Sequence, residues 1–319
     1  MQKTDVVLGI DIGGTYSKFG FVDSKGNCLL ESSILTEAEK GAEDLLARLF
    51  GNVKSLLKKN ANIHMIGIGM GAPNANYYKG TVEHPPNLNW GIVDVIAIVK
   101  KYYDLPAAIT NDANAAAIGE FKFGAARGMK DFIVITLGTG LGSGIFCNGQ
   151  LVLGHDGFAG EIGHTIAVLD GRQCGCGRKG CLETYASASG IIRTVFELIA
   201  KTNYPSVLRE NSYEDLTSKD IYDAAMKGDI IALMAFDLTG KILGRSLADS
   251  VAYTSPEAII LFGGLASAGT LIIEPTKKYL EENLLNIFKN KVRVIPSGLP
   301  DGNIAVLGSA ALIWNEIEK

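Results

Sequence analysis

VVLGIDIGGTYSKFGFVDSKGNCLLESS, residues 6–33, and DFIVITLGTGLGSGIFCNGQLVL, residues 131–153, are two statements of one pattern. Each gives an apolar strand, a Gly/Thr turn, a second strand, a tight turn and a third strand, so each reads as a β-meander. The tight turns are Lys25-Gly26-Asn27 in the first copy and Asn148-Gly149 in the second. One supersecondary unit written twice implies two similar lobes.

Around the two meanders the chain alternates strand and helix. Leu45, Leu49, Val53 and Leu56 share a helical face, as do Val93, Ile96 and Val99, and residues 230–252 predict a longer helix. Apolar runs at 63–70, 107–110, 258–262 and 292–295 predict buried strands, each closed by glycine, proline or a polar turn. The last stretch, IAVLGSAALIWNEIEK, predicts a helix that packs onto an existing lobe. The fold class is α/β. Residues 1–118, joined by the C-terminal helix 303–319, form the expected smaller lobe, and residues 119–302 the larger.

A chain of 319 residues exceeds what one core usually supports, which agrees with two lobes sharing a cleft. A net charge of −4 gives no basic footprint for a phosphate backbone, so nucleic acid is not an expected partner. No stretch approaches the apolar length that crosses a bilayer, and Met1 to Asp5 run straight into a strand with no room for a signal peptide. The expected setting is the cytoplasm, where clustered thiols point to metal and not to disulfides.

The turns carry the chemistry. In Asp11-Ile12-Gly13-Gly14-Thr15 paired glycines let backbone N–H groups approach phosphate oxygens, and an aspartate at a strand end can hold Mg²⁺ through water. Alone, this is also a hairpin turn that needs glycine for its backbone. Gly138-Thr139-Gly140 occupies the equivalent turn of the second copy, so two such hairpins would present themselves to one nucleotide triphosphate. No Gly-Lys-Ser/Thr follows at helix-opening spacing, which excludes a P-loop. The arrangement resembles the two-lobed ATPase fold shared by actin, the Hsp70 chaperones and hexokinases.

His164 and the thiols of Cys174, Cys176 and Cys181 make one imidazole and three sulfurs, the ligand set of a closed tetrahedral zinc site. Four protein ligands leave no open position, so the metal would be structural and would not activate water.

With these motifs and Glu161-Ile162-Gly163-His164 leading into CGCGRKGCLE, the chain resembles the ROK family of sugar kinases and sugar-responsive repressors over essentially its whole length. The run from Cys181 through Ser187 is similar to that family's bacterial glucokinases. The resemblance implies ATP, Mg²⁺ and structural zinc as cofactors, a sugar substrate phosphorylated at its 6-hydroxyl, and a homo-oligomer, dimer or tetramer. It implies that Asp112 of Asn111-Asp112 is the general base, and that Glu161, His164, Glu183, Asn111, Asp112 and Asn87 bind the sugar. It places Asp11, Gly13, Gly14, Thr15, Gly138, Thr139, Gly140, Gly263 and Gly264 around the nucleotide. One ring nitrogen of His164 would bind zinc while the other faces the sugar. Taken singly, Asp112 reads first as a helix N-cap, and Glu161 and Glu183 as solvated loop carboxylates.

Two positions depart from the family's pattern. Asn74 stands where glycine is common, and Gly263-Gly264-Leu265 lacks a third glycine. Two other functions stay open: a kinase for N-acetylmannosamine, N-acetylglucosamine or allose, and a sugar-responsive regulator. Such regulators carry a helix-turn-helix before the first phosphate motif, and here ten residues precede Asp11.

Overall fold

The computed structural model describes residues 3–299 and 304–318. By its internal contacts the chain divides into two compact units: residues 1–128, 151–159 and 298–319 form the first, residues 129–150 and 160–297 the second.

The first unit opens with the meander β1 (Thr4–Ile12), β2 (Tyr16–Val22) and β3 (Cys28–Leu35), then helix α1 (Gly41–Lys59) and β4 (Ile63–Gly71). Three short strands follow, β5 (Ala75–Asn76), β6 (Thr81–Glu83) and β7 (Ile92–Asp94), then α2 (Val95–Lys100), β8 (Ala107–Thr110) and α3 (Asp112–Phe123). The main sheet has the order β3-β2-β1-β4-β8, antiparallel across the meander and parallel from β1 onward.

The second unit begins again with a meander, β9 (Phe132–Leu137), β10 (Leu141–Cys147) and β11 (Gln150–Leu151). Helices α4 (Ala188–Lys201), α5 (Ser218–Met226) and α6 (Ile230–Thr254) come next, followed by β12 (Ala258–Phe262), α7 (Thr270–Asn283) and β13 (Arg293–Pro296). Its sheet, β11-β10-β9-β12-β13, repeats the first topology strand for strand. The chain then returns to the first unit as α8 (Ile304–Ile317). Residue 303, where the sequence starts this helix, lies outside the described residues.

The alternation of β1 explains its central place. Val6, Leu8, Ile10 and Ile12 pack on one face with Leu45, Leu46, Leu49 and Val53 of α1, while Val7 faces Val306, Ala310 and Ile313 of α8. Helix α8 lies so close to the sheet that a Cβ on Gly69 would overlap the Ser309 carbonyl, so glycine is required there by contact. In the second unit Ile133, Ile135, Ile259 and Leu261 of the sheet share a core with Leu243, Leu247 and Val251 of α6.

Two expectations change. Val93 belongs to strand β7, because Asp94 caps α2 by accepting from the Ala97 N–H at 2.8 Å and so starts the helix after it. The sequence divides the chain at 118/119, whereas contacts divide it at Gly128/Met129. Helix α3 runs on to Phe123, which packs over the β2–β3 turn at Gly26. Residues 151–159 rejoin the first unit, where Asn76 Nδ2 donates to the Asp156 carbonyl at 2.8 Å and Tyr78 OH to that of Gly154 at 3.1 Å.

Candidate functional site

In the first unit the β1–β2 hairpin is tied everywhere except at its tip. Gly13 N–H donates to the Tyr16 carbonyl at 3.2 Å, Thr36 Oγ1 donates to the Gly13 carbonyl at 2.7 Å, and Thr36 N–H to that of Thr15 at 2.9 Å. Buried Ser17 holds the Thr36 hydroxyl from the other side at 2.9 Å. Among the described residues the N–H groups of Gly14 and Thr15 donate to nothing. Two adjacent donors with pinned carbonyls make an anion-binding concavity.

The β9–β10 hairpin of the second unit repeats this arrangement. Gly138 N–H closes on the Gly140 carbonyl at 3.0 Å, Ala188 N–H donates to the Gly138 carbonyl at 2.8 Å, and Ser189 Oγ donates to that of Thr139 at 2.9 Å. At the base, Leu141 N–H reaches Glu183 Oε2 at 3.0 Å and Gly142 N–H reaches Thr136 Oγ1 at 3.1 Å. The N–H groups of Thr139 and Gly140 again have no acceptor among the described residues. Gly263, at φ 101°, packs against this hairpin's first strand: a Cβ there would lie 2.7 Å from the Leu137 carbonyl oxygen. Leu265 N–H donates to that same carbonyl at 3.0 Å, which brings the Gly263-Gly264 loop to the hairpin.

Asp11, at the end of β1, faces Asp112. Burial and the Asp112 carboxylate push the Asp11 carboxyl up from 3.8 to about 6, with Lys18 opposing. Burial also raises Asp112, against the pull of the Ala113 N–H and its own. The N-cap of α3 is Asn111, whose Oδ1 accepts from Ala113 N–H at 2.8 Å; Asp112 is the first helical residue and shares that donor at 2.8 Å. Asn87 is exposed, and its Cβ would lie 3.1 Å from a Cβ on Gly14, so it stands beside the first hairpin.

The remaining predicted residues lie in the second unit. His164 Nδ1 is 3.8 Å from Cys174 Sγ, Cys176 Sγ is 3.6 Å from Cys181 Sγ, and the four candidate ligand atoms lie within 4.8 Å of one another. Glu183 joins this cluster, with Oε1 3.7 Å from Cys174 Sγ. The exposed Glu161 sits at the start of the short turn that carries His164, and its carbonyl accepts the His164 N–H at 3.1 Å.

Several residues that hold the site are not evident from sequence. Buried Ser143 donates to the Gly160 carbonyl and accepts the Ile162 N–H at 3.2 Å, fixing both neighbours of Glu161. Arg172 has a side chain only 7% exposed. It donates to Glu197 at 2.7 Å, to the Thr184 and Gly190 carbonyls at 2.6 and 3.0 Å, and to Thr194 at 2.9 Å. It also stacks 4.3 Å from the Tyr185 ring. One guanidinium thus binds the start of the cysteine loop, the turn carrying Glu183, and α4.

Residues 7–316 match the ROK family. The chain belongs to the ROK family. This ROK chain is 36% identical to a glucokinase of Halalkalibacterium halodurans, over 86% of its own length and 84% of the relative's. It is 32% identical to a glucokinase of Thermotoga maritima over 98% of both chains. The structure of a ROK family glucokinase from Streptomyces griseus, in complex with glucose and AMPPNP, superposes with a TM-score of 0.81 at 34% identity, covering 96% of this chain and 98% of that one. A xylose repressor of Caldicellulosiruptor bescii also matches, at 30% identity over 98% of this chain and 78% of its own length. The fold is that of the ROK sugar kinases, the actin- and hexokinase-like ATPase fold. Among the described residues no helix is long and apolar enough to cross a membrane.

Proposed function

We infer that this chain is an ATP-dependent hexose kinase whose substrate is glucose and whose acceptor is the 6-hydroxyl. The observation that carries the reading is the pair of hairpins, each with two adjacent N–H groups unpaired among the described residues and with fixed carbonyls, on a chain whose relatives include glucokinases. Phosphoryl transfer passes through a loose transition state with charge on the transferred oxygens, and preorganised backbone donors stabilise that charge without reorganising.

Within this reading Asp112 accepts the proton of the attacking hydroxyl. A carboxyl raised by burial is a better proton acceptor than an ordinary aspartate, and the start of α3 favours its charged form. Asn111 is free to use its amide Nδ2, which donates to nothing among the described residues, while Oδ1 caps the helix. Asn87, Glu161, His164 and Glu183 supply further sugar contacts. Asp11 would hold Mg²⁺, which supplies charge neutralisation to the nucleotide phosphates. Gly13, Gly14, Thr15, Gly138, Thr139 and Gly140 receive those phosphates, and Gly263 and Gly264 border the nucleoside.

The sulfur cluster fits zinc. A tetrahedron with Zn–S near 2.3 Å and Zn–N near 2.0–2.1 Å has an S···S edge of about 3.8 Å and an S···N edge of about 3.5 Å; the Cys176–Cys181 sulfur contact of 3.6 Å lies close to the first and the Cys174 Sγ–His164 Nδ1 contact of 3.8 Å close to the second. His164 meets Cys174 through Nδ1, which leaves Nε2 for the sugar and gives the metal the task of aiming the ring.

The test is ADP release with Mg-ATP across glucose, mannose, allose, N-acetylglucosamine and N-acetylmannosamine. Glucose should give the highest kcat/KM. Tight binding of one sugar with no ADP release from any would replace the kinase by a sensor.

A further inference from the structure

Glu183 is the point where the cysteine loop and the second hairpin meet. Its Oε2 accepts the Leu141 N–H at 3.0 Å, and a Cβ on Gly140 would overlap that same oxygen, so the carboxylate lies directly against the hairpin backbone. The segment after it continues the contact. Ser187 Oγ donates to the Glu183 carbonyl at 2.7 Å and accepts the Gly190 N–H at 3.0 Å, which fixes the start of α4. Ala188 N–H then holds the Gly138 carbonyl and Ser189 Oγ that of Thr139. Residues 183–189 therefore supply three of the ties that, among the described residues, leave only the Thr139 and Gly140 N–H groups unpaired at the tip.

We propose that Glu183 is a positioning residue for the nucleotide phosphates as well as a sugar contact, shaping the second hairpin through Leu141 so that nucleotide affinity depends on it even with no sugar present. The proposal rests on the kinase reading of the hairpins. Its physical content is preorganisation: a three-residue turn with an untied base samples conformations in which the tip donors diverge, and binding must then order it. A carboxylate is a strong acceptor for a backbone N–H, so losing it should matter more than losing a neutral partner.

The experiment is titration calorimetry with Mg-AMPPNP in the absence of sugar. The parent, Glu183→Gln, Glu183→Leu and Ser189→Ala are compared, with zinc content and Tm recorded for each. Glu183→Gln keeps an oxygen that accepts from Leu141, so AMPPNP binding should stay within about twofold while glucose binding weakens at least tenfold. Glu183→Leu should weaken AMPPNP by about tenfold, and Ser189→Ala by about threefold. A purely sugar-binding Glu183 gives AMPPNP affinity within twofold of the parent for Glu183→Leu, and that result overturns the proposal. If Glu183→Leu loses zinc or fails to fold, Ser189→Ala decides: unchanged AMPPNP affinity refutes the role of the segment. A parent that itself fails to bind AMPPNP refutes the kinase reading instead.

Discussion

Asp11→Asn should stabilise the ligand-free protein, and by an amount that grows with pH. The Asp11 carboxyl is raised from 3.8 to about 6, by burial first and by Asp112 second. A carboxyl raised on folding binds more protons folded than unfolded between those two values, so its charged form costs stability as pH climbs through the window. Below 3.8 both states are protonated and the cost vanishes; above 6 it is fully present. Linkage over this shift gives a cost on the order of 2 kcal/mol at pH 5 and on the order of 3 kcal/mol at pH 8. Asparagine has the same shape and no charge, so the variant should recover those amounts.

The assay is urea unfolding followed by tryptophan fluorescence. The chain has two tryptophans, Trp90 and Trp314, both buried in the first unit with Asp11, so the signal reports that unit. With an m-value of about 2 kcal/mol/M, the midpoint should rise by about 1 M at pH 5 and by about half as much again at pH 8. No gain at pH 8, or the same gain at both pH values, would refute the argument. Stability gained this way should be lost as function: Mg-AMPPNP should bind the variant at least about tenfold more weakly, because the cost borne by the free protein is relieved when a divalent cation meets the carboxylate.

Asp112→Asn should lower kcat by about 10² or more while calorimetry shows glucose and AMPPNP still bound, and a loss under about tenfold would remove Asp112 as the base. Elemental analysis of protein purified without chelator should give one zinc per chain, and stripping it should weaken glucose binding before the far-ultraviolet dichroism changes. Arg172→Ala should cost about 3 kcal/mol or more, because it removes a nearly buried cation that pairs with Glu197 and leaves the Thr184 carbonyl without its donor. Arg172→Lys should recover only part of this in a thermal melt, since one ammonium cannot reproduce a planar fork.

The fold was legible because its signal is periodic and stated twice. The meanders, the strands Ile63–Gly71, Ala107–Thr110 and Ala258–Phe262, and the long helix Ile230–Thr254 all follow from apolar spacing and turn residues. Their common topology, with the meander followed by two parallel strands, could not be read from spacing, because strands β4 and β12 join their sheets across 27 and 106 residues of other chain (36–62 and 152–257). The three-stranded sheet of β5, β6 and β7 was invisible for a different reason. Its strands are two or three residues long and carry no period, so Val93 looked helical beside Ile96 and Val99.

The site divides in the same way. Glycine pairs, Asn-Asp and the cysteine spacing are local patterns, so a short window of sequence is enough to single each out as a candidate. Thr36, Ser143 and Arg172 are single residues whose partners lie 23, 17 and up to 25 positions away, so no window of sequence contains the contact that gives them meaning. Asn111-Asp112 shows what local reading leaves ambiguous: both side chains can cap a helix, and only the backbone assigns the cap to Asn111 and leaves Asp112 in the first turn. Asn74 shows the reverse. Read as a departure from the family's glycine, it weakens the assignment of the sugar, yet its φ of 52° is the left-handed conformation that glycine and asparagine both adopt. Its Nδ2 donates to the His84 carbonyl at 3.1 Å, and its own carbonyl accepts the Glu83 N–H at 3.0 Å. The turn therefore keeps the backbone that glycine would give and adds a tie to the β6 hairpin, so the exchange tightens this loop of the first unit.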